Sequence, residues 1–307
     1  MGAAIGLCYR TPRITGSKPA RLPSPSPMNT LEAAEAVQAA PIRLHRPEDF
    51  EGMRRAGRLA AECLDMIAGY VVPGVLTERL DDLAREFILD HGAQPACLGY
   101  KGYTRTTCIS PNHVVCHGIP GARANQRLSD GDIANIDVTV ILDGWHGDTS
   151  RMFAVGQVSP KARRIVDVTH EALMRGIAAV KPGASFGDIG HAIQSWAEGQ
   201  RCSVVEDFCG HGLGRVFHDA PNVLHYSRSR LKPRTRFEFP ELKPGMFFTV
   251  EPMINLGRPD TKTLNDGWTA VTRDKSLSAQ FEHAVGVTED GCEIFTLSPA
   301  GLHKPGL

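Results

Sequence analysis

The 307-residue chain carries 34 Lys and Arg against 34 Asp and Glu and is 42% hydrophobic, the make-up of an ordinary globular protein with one large core or two modest ones. Equal charge excludes a global field drawing the chain to nucleic acid or an anionic membrane, so any such contact has to be local. No stretch approaches the roughly 20 apolar residues that span a bilayer, and the cysteines at 8, 63, 97, 108, 116, 202, 209 and 292 form no CxxC pair or zinc-knuckle spacing, so a reduced, cytoplasmic protein is expected.

Residues 1–27 hold Arg10, Arg13, Lys18 and Arg21, no acidic residue, and Pro12, Pro19, Pro23, Pro25 and Pro27, which reads as disorder. Two readings stand: an organellar transit peptide, or an extension ahead of a start at Met28. The second is preferred, because five prolines oppose the amphipathic helix of a transit peptide. After Pro47, Glu48 and Asp49, the apolar residues Met53, Ala56, Ala60, Cys63 and Ile67 recur at helical spacing as far as Val72-Pro73-Gly74. A second helix runs through Leu80, Leu83, Phe87 and Ile88. The order returns later, with Ile165, Val168, Ala172 and Leu173, a stop at Lys181-Pro182-Gly183, and a stripe of Ile189, Ile193, Trp196 and Ala197. Each half closes in strands and an Asp-Gly hairpin, Asp143-Gly144 and then Asp290-Gly291. The spacing predicts a duplicated α+β unit whose two sheets face each other.

In the first hairpin, Ile136, Val138, Val140 and Leu142 alternate up to Asp143-Gly144, and Trp145 follows, so a two-residue type I′ loop is expected. That register sets Asp148 opposite Thr139 and Asp137 opposite Ser150, with all four side chains on one face. Two carboxylates so placed repel unless a cation lies between them; the plain alternative is a solvated polar strand face. Glu251, in Phe247-Phe248-Thr249-Val250-Glu251-Pro252, and Glu282, in Gln280-Phe281-Glu282-His283, stand in apolar strand contexts and need solvent or a partner. The segment Gly210-His211-Gly212-Leu213-Gly214-Arg215-Val216-Phe217-His218 adds two histidines that a straight strand would put on opposite faces, so a bulge or turn is expected between them. Either could be an ordinary core histidine. No lysine or helix signal follows its glycines, which discounts a phosphate loop.

Four carboxylates and one imidazole, with no thiolate among them, suit a pair of hard divalent ions such as manganese, with iron and cobalt also fitting. Two such ions would make a shared water acidic and polarise a carbonyl, which is hydrolytic chemistry. HExxH is absent, so a zincin route lacks support.

The segments Asn135 to Phe153, Gly210 to Tyr226 and Met246 to Glu282 resemble those of the type I methionine aminopeptidases, over roughly residues 42–298. The resemblance implies the α+β pita-bread fold, two halves with pseudo-two-fold symmetry around a dinuclear metal site. It divides the chain into an extension (1–41), a catalytic domain (42–298) and a tail (299–307). It implies Asp137, Asp148, His211, Glu251 and Glu282 as ligands of two divalent ions (cobalt, manganese or iron), with Asp148 and Glu282 bridging. It further implies that a metal-bridging hydroxide attacks the carbonyl of an N-terminal methionine followed by a small residue, with Glu251 shuttling the proton. His117, in Cys116-His117-Gly118, would contact the substrate, and His218 would stabilise the tetrahedral intermediate; on the sequence alone His117 fits a surface loop equally well. Cys97, Tyr100, Tyr103, Cys108, Phe217 and Trp268 would form the methionine pocket, although any of these aromatics could be plain core. A weak monovalent-cation site would fall at Asn112, Val114 and Ser278. The implied partners are nascent polypeptide N-termini, and a monomer is expected. Two departures stand out: Lys101 replaces a histidine of enteric-type relatives, and the stretch Arg228 to Arg236 is longer and more basic, a solvated loop or a contact for ribosomal RNA. Prolidase-type hydrolysis and a non-catalytic binding role on the same scaffold are the alternatives.

Overall fold

The structure is a computed structural model, and it describes residues 41–227 and 239–306. The basic leader and the Arg228 to Arg236 stretch lie outside the described residues. Four long helices among the described residues form two pairs, α1 (Asp49–Ala68) with α2 (Thr77–Asp90), and α3 (Pro160–Ala178) with α4 (Phe186–Gly199). Between the members of each pair comes the Pro-Gly stop, with Gly74 at φ 88° and Gly183 at φ 82°, the left-handed conformation in which glycine meets no Cβ penalty. The duplicated order is therefore real. The caps differ between the halves. In the second half, Ser159 Oγ accepts the Ala162 N–H and Ser185 forms a capping box with Asp188; neither α1 nor α2 has a side-chain cap hydrogen bond.

The expectation of two facing sheets is too simple: the described residues form four. In the first half, strand Ile133–Leu142 pairs with Trp145–Ala154 along one edge and with the short Gln94–Pro95 and Thr107–Pro111 along the other. In the second, an antiparallel sheet runs in the order Cys292–Ile294, His283–Val287, Phe247–Val250, Gly210–Gly212, Asp219–Val223. Two three-stranded sheets complete the set, and one of them pairs Val114–Cys116 of the first half with Ala270–Thr272 of the second. The two large sheets meet at a single bridge, where the Glu282 N–H donates to the Ser150 carbonyl at 3.0 Å.

Each half has its own core. Leu64, Ile67, Leu80, Ile88, Ile136 and Val138 fill the first, and Ile165, Leu173, Ile189, Ile193, Phe248 and Val285 the second. Phe50, Met53, Trp145, Leu213, Phe247 and Phe295 form a third cluster along the seam. The strand Ile133–Leu142 thus turns Ile136, Val138 and Val140 to the helices and frees its other face for Asp137 and Thr139. Gly147 allows the hairpin to lie this close to α1: a Cβ there would come 2.1 Å from the Ala56 carbonyl oxygen. The second hairpin does not repeat the first. Gly291 has no positive φ, and the loop is closed by Thr288, whose amide donates to the Gly291 carbonyl and whose Oγ1 accepts the Gly291 N–H at 3.1 Å. Residues beyond Ser298 pack on the first and third helices, with the Ala300 N–H donating to Asp65 and Lys304 paired to Asp167 at 2.8 Å.

Candidate metal centre

The first hairpin has the expected register. Asp137 faces Ser150 and Thr139 faces Asp148, because Asp143 (φ 51°) and Gly144 (φ 79°) both take the positive φ that a type I′ loop requires. Asp148 is 3% exposed, and its Oδ1 accepts the Thr139 hydroxyl at 2.7 Å. Asp137 Oδ1 is buried without any hydrogen-bond partner. The second half brings the remaining donors. His211 sits at a register shift between His211 and Gly212, the irregularity expected before His218. Glu251 follows the strand Phe247–Val250, and Glu282 lies at the bridge between the sheets.

His211 Nδ1 lies 3.1 Å from the Gly212 carbonyl, so it carries the proton and the Nε2 lone pair points into the site. That lone pair is 3.5 Å from Asp148 Oδ2 and 3.7 Å from Glu251 Oε1. One donor atom each from Asp148, His211 and Glu282 falls within a mutual 4.8 Å. Burial pushes the Asp148 carboxyl up to about 7 and takes Asp137, Glu251 and Glu282 well above the usual carboxylate range; Asp148 adds repulsion in all three. Burial also lowers His211 to about 4, leaving it neutral. Four carboxylates, Asp148 and Glu282 buried and Asp137 and Glu251 half-buried, and an inward lone pair, with one carboxylate oxygen lacking any donor, are held at high cost without positive charge. These residues, hard oxygen donors with one imidazole and no thiolate, fit divalent cations.

The site forms the floor of a cavity of about 370 Å³. Cys97, Tyr103, Cys108, Phe217 and Trp268 make its apolar side, Tyr103 standing edge-on to Trp268 at 5.0 Å and donating its hydroxyl to the Thr107 carbonyl at 2.9 Å. Tyr100 closes on Phe217 at 4.8 Å and on the His218 ring at 5.1 Å. His117, with φ 55°, is held in the cavity wall edge-on to Phe208 and Trp268. Burial lowers it to about 4. His218 stands at the mouth, its ring 4.2 Å from that of His211, and is kept neutral by desolvation, then by His211 and Lys101. Every residue expected for metal, catalysis or pocket therefore lines one cavity. Lys101 lines it too and supplies the only Lys or Arg among its described lining residues.

The expected monovalent-cation residues lie apart from this cavity. The Asn112 carbonyl accepts the Ser278 N–H at 2.8 Å, while the Asn112 side chain is engaged by Asp132 and by the Ile133 amide. Ser278 Oγ is buried without a partner, and Val114 pairs with Val271. Three residues around Glu251 escaped the sequence reading. Thr249 Oγ1 donates to Glu251 Oε1 at 2.7 Å, Gln280 Nε2 donates to Oε2 at 3.3 Å, and His225 Nε2 accepts the Glu251 N–H at 3.1 Å. The one signal available was Thr249 itself, a hydroxyl inside an otherwise apolar strand.

A model of metallopeptidase family M24 matches residues 51–289. The chain belongs to this family. It is 57% identical over 265 residues to the methionine aminopeptidase of Rickettsia prowazekii, covering 86% of this chain and 98% of that protein. It is 52% identical over 257 residues to the methionine aminopeptidase of Escherichia coli, covering 83% and 94%. The crystal structure of the Rickettsia prowazekii enzyme superposes with a TM-score of 0.79 over 84% of this chain and 100% of that one. Prolidase from Pyrococcus furiosus, 19% identical, superposes with a TM-score of 0.64 over 86% of this chain and 67% of its own, sharing the M24 pita-bread fold. No helix among the described residues is long and apolar enough to cross a membrane.

Proposed function

We propose that this chain is a metal-dependent methionyl aminopeptidase, removing the N-terminal methionine of nascent proteins and peptides whose second residue is small. One observation carries the reading: four carboxylates and a neutral imidazole form the floor of a cavity whose wall is sulfur and aromatic rings, in a chain 57% identical to a methionine aminopeptidase over 98% of that protein. Asp137, Asp148, His211, Glu251 and Glu282 would hold two divalent ions. When bound, these would polarise the scissile carbonyl and make a water acidic enough to ionise near neutral pH.

The chain's own groups do the rest. Glu251, with a carboxyl already raised by burial, takes the proton of the attacking water and passes it to the departing amine. His218, neutral at the mouth, donates an N–H to the oxyanion as the carbonyl becomes tetrahedral. His117 holds the substrate amide. The methionine thioether packs against Cys97, Cys108 and the Tyr103 and Trp268 rings, contacts that suit a polarisable sulfur. A carboxylate-rich floor also favours a free α-amino group, which accounts for exopeptidase action.

The catalytic unit proposed is residues 42–298. Ser278 Oγ, Asn112 and Val114 would form the weak monovalent-cation site, and the basic Arg228 to Arg236 stretch would touch ribosomal RNA transiently. The chain would act as a monomer in the cytoplasm. Release of free methionine from Met-Ala-Ser and Met-Leu-Ser peptides by chelator-stripped protein, before and after manganese or cobalt, tests the main reading. Metal-dependent cleavage of the Ala peptide alone is expected; cleavage of neither with metal bound would move the assignment to another hydrolase of this fold.

A further inference from the structure

Thr249 is fully buried in the strand Phe247–Val250, one strand away from His211 and two residues before Glu251. Its hydroxyl is used twice. The His211 amide N–H donates to Oγ1 at 3.0 Å, and Oγ1 donates onward to Glu251 Oε1 at 2.7 Å. The direction is fixed, because an amide can only donate and the hydroxyl has a single proton left for the carboxylate. One side chain thus ties the backbone of one donor residue to the carboxylate of another across a strand pair. Glu251 Oε1 is also the oxygen that faces His211 Nε2 at 3.7 Å.

Other contacts place the two residues separately. Gly212 O fixes the His211 ring, while Gln280 and His225 hold the far oxygen and the amide of Glu251. Among the described residues, Thr249 alone hydrogen-bonds to both. We propose that Thr249 is a positioning residue of the metal centre, setting the separation of His211 and Glu251 and hence how tightly and in what geometry a divalent ion is held. The inference rests on the reading of this cluster as a metal site. Outer hydrogen-bond partners of metal ligands typically contribute about tenfold to hundredfold in affinity, since they orient the donors before the ion arrives.

Cobalt(II) chloride titrated into metal-stripped protein, followed by calorimetry and by the visible absorption of the ion, reads affinity and ligand geometry apart from turnover. Thr249→Val keeps the shape and removes the hydroxyl; Thr249→Ser keeps the hydroxyl and removes the methyl. Thr249→Val is expected to bind cobalt about tenfold to hundredfold more weakly with shifted absorption bands, and Thr249→Ser to stay within about threefold of the native protein. Should Thr249→Val fail to fold, Thr249→Ser against Thr249→Ala makes the same comparison, both lacking the methyl and only the first keeping the hydroxyl. Native affinity and spectrum in Thr249→Val, or equal weakening in Ser and Ala, would overturn the inference while leaving the metal site intact. Failure of the native protein to bind cobalt would overturn the metal reading and this inference with it.

Discussion

Asp148→Asn should make the metal-stripped protein more stable while removing its response to metal. The native carboxyl is pushed by burial from 3.8 to about 7. At about 1.4 kcal/mol per pH unit, keeping it ionised in the stripped fold at pH 8 costs about 4 kcal/mol relative to an uncharged side chain. Asparagine retains an oxygen for the Thr139 hydroxyl and carries no charge, so most of that cost disappears. For a chain of this size, 4 kcal/mol corresponds to a melting-temperature rise of roughly 10 °C. The sign with pH follows from the raised value. A carboxyl whose folded value lies above its unfolded one favours the fold while protonated and loses that contribution as pH rises through about 7. Stripped native protein should therefore lose stability as pH rises from about 4 to about 7, with a shallower slope in the variant and no further divergence above that range. Scanning calorimetry of chelator-treated samples across this range, repeated with manganese, gives both comparisons. A stripped variant that melts at or below the native temperature at pH 8 would refute the claim that unneutralised carboxylate charge strains this site.

Gly147→Ala places a Cβ 2.1 Å from the Ala56 carbonyl oxygen, so it should destabilise the fold by about 3 kcal/mol or more, as overpacking against backbone does; urea unfolding measures this, and a loss under 1 kcal/mol would speak against the tight seating of the hairpin on α1. His218→Ala should lower kcat on Met-Ala-Ser by about 10² to 10³ with little change in KM, the loss expected for a single oxyanion donor; a change confined to KM would make His218 a binding group instead. Neutralising Arg228, Arg230, Lys232, Arg234 and Arg236 should weaken ribosome pelleting and flatten its salt dependence while peptide turnover stays native. Pelleting that is insensitive to salt and to these changes would remove the proposed RNA contact.

The first hairpin was legible because its signals are local. Asp143-Gly144 dictates the turn, the turn sets the register, and a period of two then aligns Asp137 with Asp148 without knowledge of the rest of the chain. The helix pairs were legible for the same reason, through apolar stripes ended by Pro-Gly. Asp290-Gly291 did mark the second hairpin, whose strands His283–Val287 and Cys292–Ile294 pair antiparallel, but the dipeptide did not set the loop type: Thr288 caps the loop with its own side chain and leaves Gly291 outside the left-handed region. The four-sheet arrangement was hidden in strands as short as Val114–Cys116 and Ser203–Val204, too brief to show alternation. Thr249 and His225 reach His211 and Glu251 over separations of 38 and 26 residues, contacts that exist only once the sheets have formed. The pocket was readable only through family resemblance, since nothing in the spacing of Cys97, Phe217 and Trp268 brings them together.

Crystals of stripped protein reloaded with cobalt, with anomalous diffraction collected at the cobalt edge, locate the metal itself. Two anomalous peaks are expected among Asp137, Asp148, His211, Glu251 and Glu282, at the floor of the cavity that Cys97 and Trp268 line. Peaks elsewhere on the molecule, or none in a crystal that holds stoichiometric cobalt, would contradict this placement.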